Sequence, residues 1–121
     1  MSETTPEVGT SVLDDAELLR KATGAANGRK FSLLFEEGWQ STAVREAYGR
    51  PRDARLALVN HLLWWARHDV GQVWRLFEQS ALCPDTLAAY REYFLDLVRA
   101  ARSRLGEECY DPNYANGGET Q

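Results

Sequence analysis

The side chains most suited to chemistry in this sequence are basic residues grouped in its first half, where helices are predicted to begin. A helix N-terminus already presents unpaired amides with positive potential, so cations gathered there are locally unfavourable. A bound phosphate would satisfy the amides and the side chains together. The basic group consists of Arg29, Lys30, Arg45, Arg50, Arg52 and Arg55. The pattern favours phosphate binding, and the alternative is a solvated basic rim that faces the acidic ends of the chain or pairs with Glu46 and Asp53.

Two aromatic residues lie in the same irregular stretch as the middle of this basic group. Trp39 follows Gly38, and Tyr48 precedes Gly49. An aromatic ring in such a segment either anchors the loop on the helices or stacks on a nucleobase, and the sequence leaves both open. With the six cations, Trp39 and Tyr48 complete the predicted site for nucleic acid or nucleotide.

The charge distribution supports a local basic surface although the chain has 121 residues and a net charge of -4. Residues 1–19 carry five acids and no base, residues 20–67 carry nine bases and four acids, and residues 106–121 carry four acids. The overall charge argues against a general nucleic-acid coat. A basic middle section on an acidic protein is still able to hold a phosphate backbone.

The common signatures of catalysis and metal binding are absent from the sequence. It has no GxxxxGK[ST], GxSxG or HExxH motif. His61 and His68 are two helical turns apart, about 10 Å of rise, which is too far to share a metal. Cys83 and Cys109 show no CxxC spacing. We therefore predict neither catalytic residues nor a metal site, and no cofactor beyond ATP or another nucleotide as a ligand.

No stretch of the sequence is typical of a membrane span or a secretory signal. Apolar runs fall well short of the roughly 20 residues that a spanning helix needs. The separated cysteines do not indicate a disulfide framework. These features lead us to expect a soluble, cytoplasmic protein without a membrane partner.

Apolar residues follow the helical period throughout the middle of the chain, and no stretch shows the alternation of a strand. A first helix is expected to begin at Asp14, which is suited to cap it, and to stop at Asn27-Gly28. A second places Phe31, Leu34 and Phe35 on one face and ends at Gly38. Residues 42–48 are compatible with one or two further turns.

The second half of the sequence predicts three more helices. One begins at Pro51 and is apolar around most of its circumference, so we expect it to be the most buried element. The next is opened by Asp69 with Gln72 and ends at Cys83-Pro84. The last runs from about Leu87 to Leu105. The prediction is an all-α, compact bundle of about five helices at residues 13–105, between loose polar tails at 1–12 and 106–121.

The order of several short motifs resembles the helix-bundle domain found beside the catalytic domain in plasmid and phage DNA primase-polymerases. The resemblance covers about residues 14–101 and includes two departures: the segment before Asp53 reads YGRPR, and Cys83-Pro-Asp-Thr follows the fourth helix. The matching pieces are Asp15-x-Glu-Leu-Leu-x-Lys-Ala, Ala26-Asn-Gly-Arg-Lys-Phe31-x-x-Leu34, Gly38, Asp53-Ala-x-Leu-Ala-Leu58, Leu63-Trp-Trp65, Asp69-x-x-Gln72-x-x-x-Leu76-Phe77 and Ser80-x-Leu82.

The resemblance implies a non-catalytic module that helps to hold single-stranded DNA template and initiating nucleotides during replication priming. Because the catalytic carboxylates of a primase are absent from this chain, we expect that the protein either works with a separate polymerase or helicase chain or has been reassigned to another role. The rival hypothesis is a protein-protein interaction adaptor that docks on a replication or host protein. Its mark would be an exposed apolar patch around Trp39, Val44 and Tyr48.

Overall fold

The computed structural model describes residues 11–83, 87–106 and 108–110, with only the backbone for residues 87–90. Within these ranges the protein is a compact all-α bundle without a strand, which confirms the predicted fold class. Its elements are α1 (Asp15–Gly24), α2 (Gly28–Ser32), a π-helical turn (Leu33–Glu37), a 3-10 turn (Gly38–Gln40), α3 (Thr42–Ala47), α4 (Pro51–Trp65), α5 (Val70–Glu78) and α6 (Leu87–Leu105).

Local capping chemistry explains where several helices begin. The side chain of Asp14 accepts a hydrogen bond from the Glu17 amide at 2.8 Å and caps α1. Asp69 does the same for α5 through the Gln72 amide at 3.2 Å. Ser41 caps α3 through the Val44 amide, so the stretch at 42–48 is a helix in its own right.

The joint between α1 and α2 depends on a close approach of two backbones. The amide of Gly28 donates to the Ala25 carbonyl at 2.8 Å, and a Cβ placed on Gly28 would lie 1.9 Å from the Thr23 carbonyl oxygen. Only glycine lets the chain turn so tightly there. Helix α1 therefore ends at Gly24, earlier than the predicted stop at Asn27-Gly28, and Gly28 is instead the first residue of α2.

The predicted end of the helix that Asp69 opens is wrong, because α5 stops at Glu78 rather than running to Cys83; Pro84 lies outside the described residues. The hydroxyl of Ser80 donates to the Phe77 carbonyl at 2.8 Å and competes with further helical turns. The next amide, that of Ala81, donates to the Phe35 carbonyl at 2.8 Å on the π-helical turn. A long-range bond therefore ends the helix.

Helix α4 forms the centre of the bundle, as its apolar circumference predicts. Ala54, Leu58, Val59, Leu62 and Leu63 are all fully buried on it. The helix packs most extensively against α6, and it also contacts α5 and the π-helical turn. Burial of this kind supplies most of the stability of a helical domain.

The described part of the chain contains no helix that combines the length and apolar character needed to cross a membrane. The predicted tails fall largely on residues 1–10, 107 and 111–121, which lie outside the described residues. Residues 108–110, also assigned to the C-terminal tail by the sequence, lie against α4.

Candidate nucleic-acid interface

The cations of α2 are exposed members of the predicted site whose side chains make no polar contact with the described residues. Arg29 and Lys30 are both exposed, and neither side chain forms a hydrogen bond or ion pair with the residues that the structure describes. Lys30 lies near His61 on α4. Burial of the imidazole, assisted by the positive charge of Lys30, lowers the pKa of His61 below its ordinary value. This corner therefore presents two exposed cations, one of which, Lys30, lies beside the half-buried imidazole of His61.

The N-terminus of α4 carries a second, smaller group of cations. Arg50 is the N-cap residue and reaches Asp53 in the first turn, with Nη2 3.4 Å from Oδ1 and Nε 3.5 Å from Oδ2. These long contacts between exposed groups contribute little stability. Arg52 is exposed and has no hydrogen-bond or ion-pair partner among the described residues.

Two of the predicted cations are held by the fold itself. Arg55 donates from Nε to the Leu82 carbonyl at 2.9 Å, and its guanidinium carbon lies 6.0 Å from the centroid of the Tyr93 ring. Arg45 donates from Nη1 to the Trp39 carbonyl at 2.7 Å. Arg55 thus ties α4 to the segment after α5, and Arg45 stabilises the turn before α3.

Trp39 and Tyr48 have the geometry of anchors. Both side chains are half-buried and pack against the apolar core. Burial raises the pKa of the Tyr48 hydroxyl, as expected for a phenol partly removed from water. Val44, between them, is only 2% exposed. The apolar patch expected for an adaptor is therefore not formed by these three residues.

Helix geometry divides the predicted site in two. Arg52 precedes His61 by nine residues, which corresponds to about 14 Å of rise and about half a turn of rotation around α4. Since Lys30 lies on the His61 side of α4, Arg52 and Lys30 face different sides of the helix. The basic residues that are grouped along the sequence do not converge on one surface.

An open cleft elsewhere on the bundle is acidic. It has a volume of about 560 Å³ between the beginnings of α1 and α5, and it is lined mainly by Asp14, Asp15, Asp69, Gln72 and Arg75. The three carboxylates cap helices or pair with neighbouring side chains. Over the described ranges, no group of three metal-ligating side chains is placed to hold an ion. An acidic cleft is unsuited to phosphate.

Sequence reasoning missed a cluster of buried polar side chains just after α4. Arg67 is 2% exposed and His68 is 3% exposed, and both have positive φ angles, 55° and 65°. The amide of His68 closes the end of the helix on the Leu63 carbonyl at 2.8 Å. The sequence feature that could have pointed to Arg67 and His68 is their position at a helix end where the usual glycine is missing.

Comparison of the chain with family models, with curated proteins and with solved structures finds no match. The class defined by the fold is accordingly an all-α bundle with an accessible basic corner at α2. The resemblance to the primase helix bundle stays a prediction from the sequence.

Proposed function

We propose that this protein is a non-catalytic helical module that binds single-stranded DNA, or the phosphates of a nucleotide, in replication priming. The observation that carries the proposal is the exposed Arg29-Lys30 pair, which has no acidic partner among the described residues and lies beside His61. A phosphate backbone carries condensed counterions in solution. Their release when exposed cations neutralise the phosphates drives association.

The contacts within the bundle rank the members of the site. Arg29 and Lys30 are the primary phosphate ligands. Arg52, which faces a different side of α4, is a separate and secondary contact, and Arg50 joins Arg52 by releasing a weak contact with Asp53. Arg45 and Arg55 act mainly through the fold, because each donates to a backbone carbonyl. Trp39 and Tyr48 support the site from the core side.

A matched pair of double variants tests the proposal. Arg29→Ala with Lys30→Ala removes the unpaired cations, whereas Arg20→Ala with Lys21→Ala removes an adjacent Arg-Lys pair of equal charge that contacts Glu17. Binding of a fluorescein-labelled single-stranded oligonucleotide is measured by fluorescence anisotropy at two salt concentrations. The wild type should bind more weakly at the higher salt, with a slope of about 0.7 per neutralised phosphate.

We expect the α2 variant to bind less tightly and its salt slope to be smaller by about 0.7 for each phosphate that it no longer neutralises. The α1 variant should remain close to wild type. An equal decrease in affinity in both variants would show an effect of net charge alone and contradict the site. Competition by ATP distinguishes a nucleotide site from a track for the DNA backbone.

Absence of binding at low salt would reject the proposal and favour the adaptor hypothesis. Capture of a separate polymerase or helicase chain would then be the next measurement. Circular dichroism of each variant establishes that the bundle is still folded.

A further inference from the structure

A short segment after α6 lies against the C-terminal end of α4. Gly106, with φ of 63°, ends α6, and the chain then reverses so that the Glu108 amide donates to the Leu105 carbonyl at 3.1 Å. Residues Glu108–Tyr110, here called the strap, follow this turn. The strap contacts residues 64–68, which lie about 40 positions or more earlier in the chain.

The bundle holds the strap through main-chain atoms. The Tyr110 amide donates to the Trp64 carbonyl at 2.9 Å, and Nη1 of Arg67 donates to the Tyr110 carbonyl at 2.7 Å. Nε2 of His68 lies 3.0 Å from the Glu108 carbonyl oxygen. One donor and two acceptors of the strap backbone are therefore matched by the end of α4. Main-chain hydrogen bonds of this kind are how proteins bind extended peptides.

One side chain of the strap adds specificity. The ring of Tyr110 packs with its centroid 5.2 Å from that of Trp65 and 6.1 Å from that of Trp64. The two tryptophans are nearly perpendicular to each other at 4.8 Å and form two walls around the phenol. Aromatic pairs at these distances stabilise the packing beyond simple burial.

The backbone after α4 is strained in a way that serves these contacts. Two successive non-glycine residues in the left-handed region are unfavourable, and glycine would end the helix without that strain. Arg67 and His68 instead provide the side chains that meet the strap. Strained backbone of this kind is characteristic of binding sites. A buried guanidinium also needs acceptors, because it stays charged at every physiological pH.

Charge complements the backbone contacts. Residues 107–111 read EECYD and contain three acids. On the α4 side stand Arg67 and His68, and Arg102 of α6 donates to the His68 carbonyl at 3.2 Å. A phosphate chain would meet the guanidinium groups of Arg67 and Arg102 but would lack an N–H donor for the Trp64 carbonyl. The arrangement therefore favours a peptide over a nucleic acid.

We propose that the end of α4 is a peptide-binding site that the strap occupies in cis, and that its partner is an extended acidic segment of another protein with a tyrosine at the Tyr110 position. A tethered segment acts at an effective concentration of about millimolar. A partner must therefore displace the strap before it binds. This inference is independent of the proposed nucleic-acid site at α2.

The test uses the full chain with the strap weakened. Tyr110→Ala removes the ring between Trp64 and Trp65, and Tyr110→Phe keeps the ring as the matched control. The probe is a fluorescein-labelled synthetic peptide of residues 106–112 with Cys109→Ser, titrated by anisotropy. A second probe carries alanine in place of the tyrosine.

We expect Tyr110→Ala to bind the tyrosine-containing peptide at least about tenfold more tightly than the wild type or Tyr110→Phe, because the cis competitor is weakened. The alanine-containing peptide should bind at least about tenfold more weakly than the tyrosine-containing one. Equal binding of the two peptides, or no gain in Tyr110→Ala with an unchanged circular dichroism spectrum, would overturn the proposal. An oligonucleotide that binds Tyr110→Ala more tightly than the wild type and displaces the peptide would also overturn it, and would assign the surface to nucleic acid.

Discussion

Arg75 on α5 and Asp15 at the start of α1 form a two-point ion pair between residues 60 positions apart. Nη2 of Arg75 lies 3.0 Å from Oδ1 of Asp15, and Nε lies 3.2 Å from Oδ2. Nε2 of Gln72, a buried residue, donates to the same carboxylate at 3.0 Å. The pair fixes the approach of the first helix to the bundle.

This ion pair predicts an acid dependence of stability. The hydrogen bond from Arg75, followed by that from Gln72, lowers the pKa of Asp15. The unfolded carboxyl therefore takes up its proton at a higher pH than the folded one. The stabilisation is present above the ordinary pKa near 4 and is lost as the pH falls through the lower folded value.

Asp15→Asn should therefore lower the free energy of unfolding at neutral pH by about 1 kcal/mol or less, because the contact is partly exposed. Urea unfolding between pH 3 and pH 7 measures the effect. The control is Glu78→Gln on the exposed face of α5. If the two variants keep the same acid dependence as the wild type, Asp15 is not its source.

Gly28 should tolerate no larger side chain. Gly28→Ala would bring a Cβ to 1.9 Å from the Thr23 carbonyl oxygen, which is a backbone atom and cannot rotate away. We expect a decrease in stability of about 1–3 kcal/mol or more, as for overpacked cores. Gly24→Ala is the matched control, since nothing lies within 4 Å of its Cβ position. Thermal unfolding of both variants checks the prediction, and equal melting temperatures would refute it.

Gly38 combines a conformational and a steric requirement. Its φ is 61°, and a Cβ there would lie 2.8 Å from the Cβ of Ala81 and 3.0 Å from its backbone. Gly38→Ala should destabilise the protein by about 1–3 kcal/mol, measured by urea unfolding. Adding Ala81→Gly should restore only part of the stability, because the strained φ remains. Gly49→Ala is the control, because nothing lies within 4 Å of a Cβ at Gly49. Full recovery of stability on adding Ala81→Gly would contradict a cost from the positive φ of Gly38.

His61 should make stability fall in mild acid. Burial, with a smaller effect of Lys30, lowers the pKa of its imidazole. Below the ordinary value of about 6.5, the unfolded chain therefore binds a proton that the folded chain does not. The free energy of unfolding should decrease as the pH falls from about 7 towards the lower folded pKa, and His61→Gln should flatten that decrease.

A titration of the His61 ring protons by NMR measures this pKa directly. Lys30→Met should raise it, because the repelling charge is removed, while Lys21→Met should leave it unchanged. A pKa of His61 at or above that of a free histidine in the wild type would contradict the burial seen for this side chain.

Much of the fold was predictable because the determinants act over a few residues. The capping side chains of Asp14 and Asp69 bind amides three positions away. Gly38 has a positive φ of 61° at the predicted helix stop. The apolar period of α4 predicted its central place. In each case the sequence neighbours are also the structural neighbours.

The candidate site was less predictable because its cations differ in their long-range partners. Arg55 donates to Leu82, 27 residues away, and Lys30 lies beside His61 on another helix. Nothing in the local pattern distinguished Arg55 from Arg52, which has no such partner among the described residues. The acceptor of Arg67 was not predictable either, because it is the Tyr110 carbonyl, 43 residues later in the chain.

The sequence by itself determined the helical class, most helix boundaries and the concentration of positive charge at residues 20–67, since these depend on residue type and short spacing. Only the tertiary structure decided which cations stay exposed, where α5 ends and what covers the end of α4. Those outcomes depend on long-range packing, because packing decides which backbone groups from distant parts of the chain come within hydrogen-bonding distance.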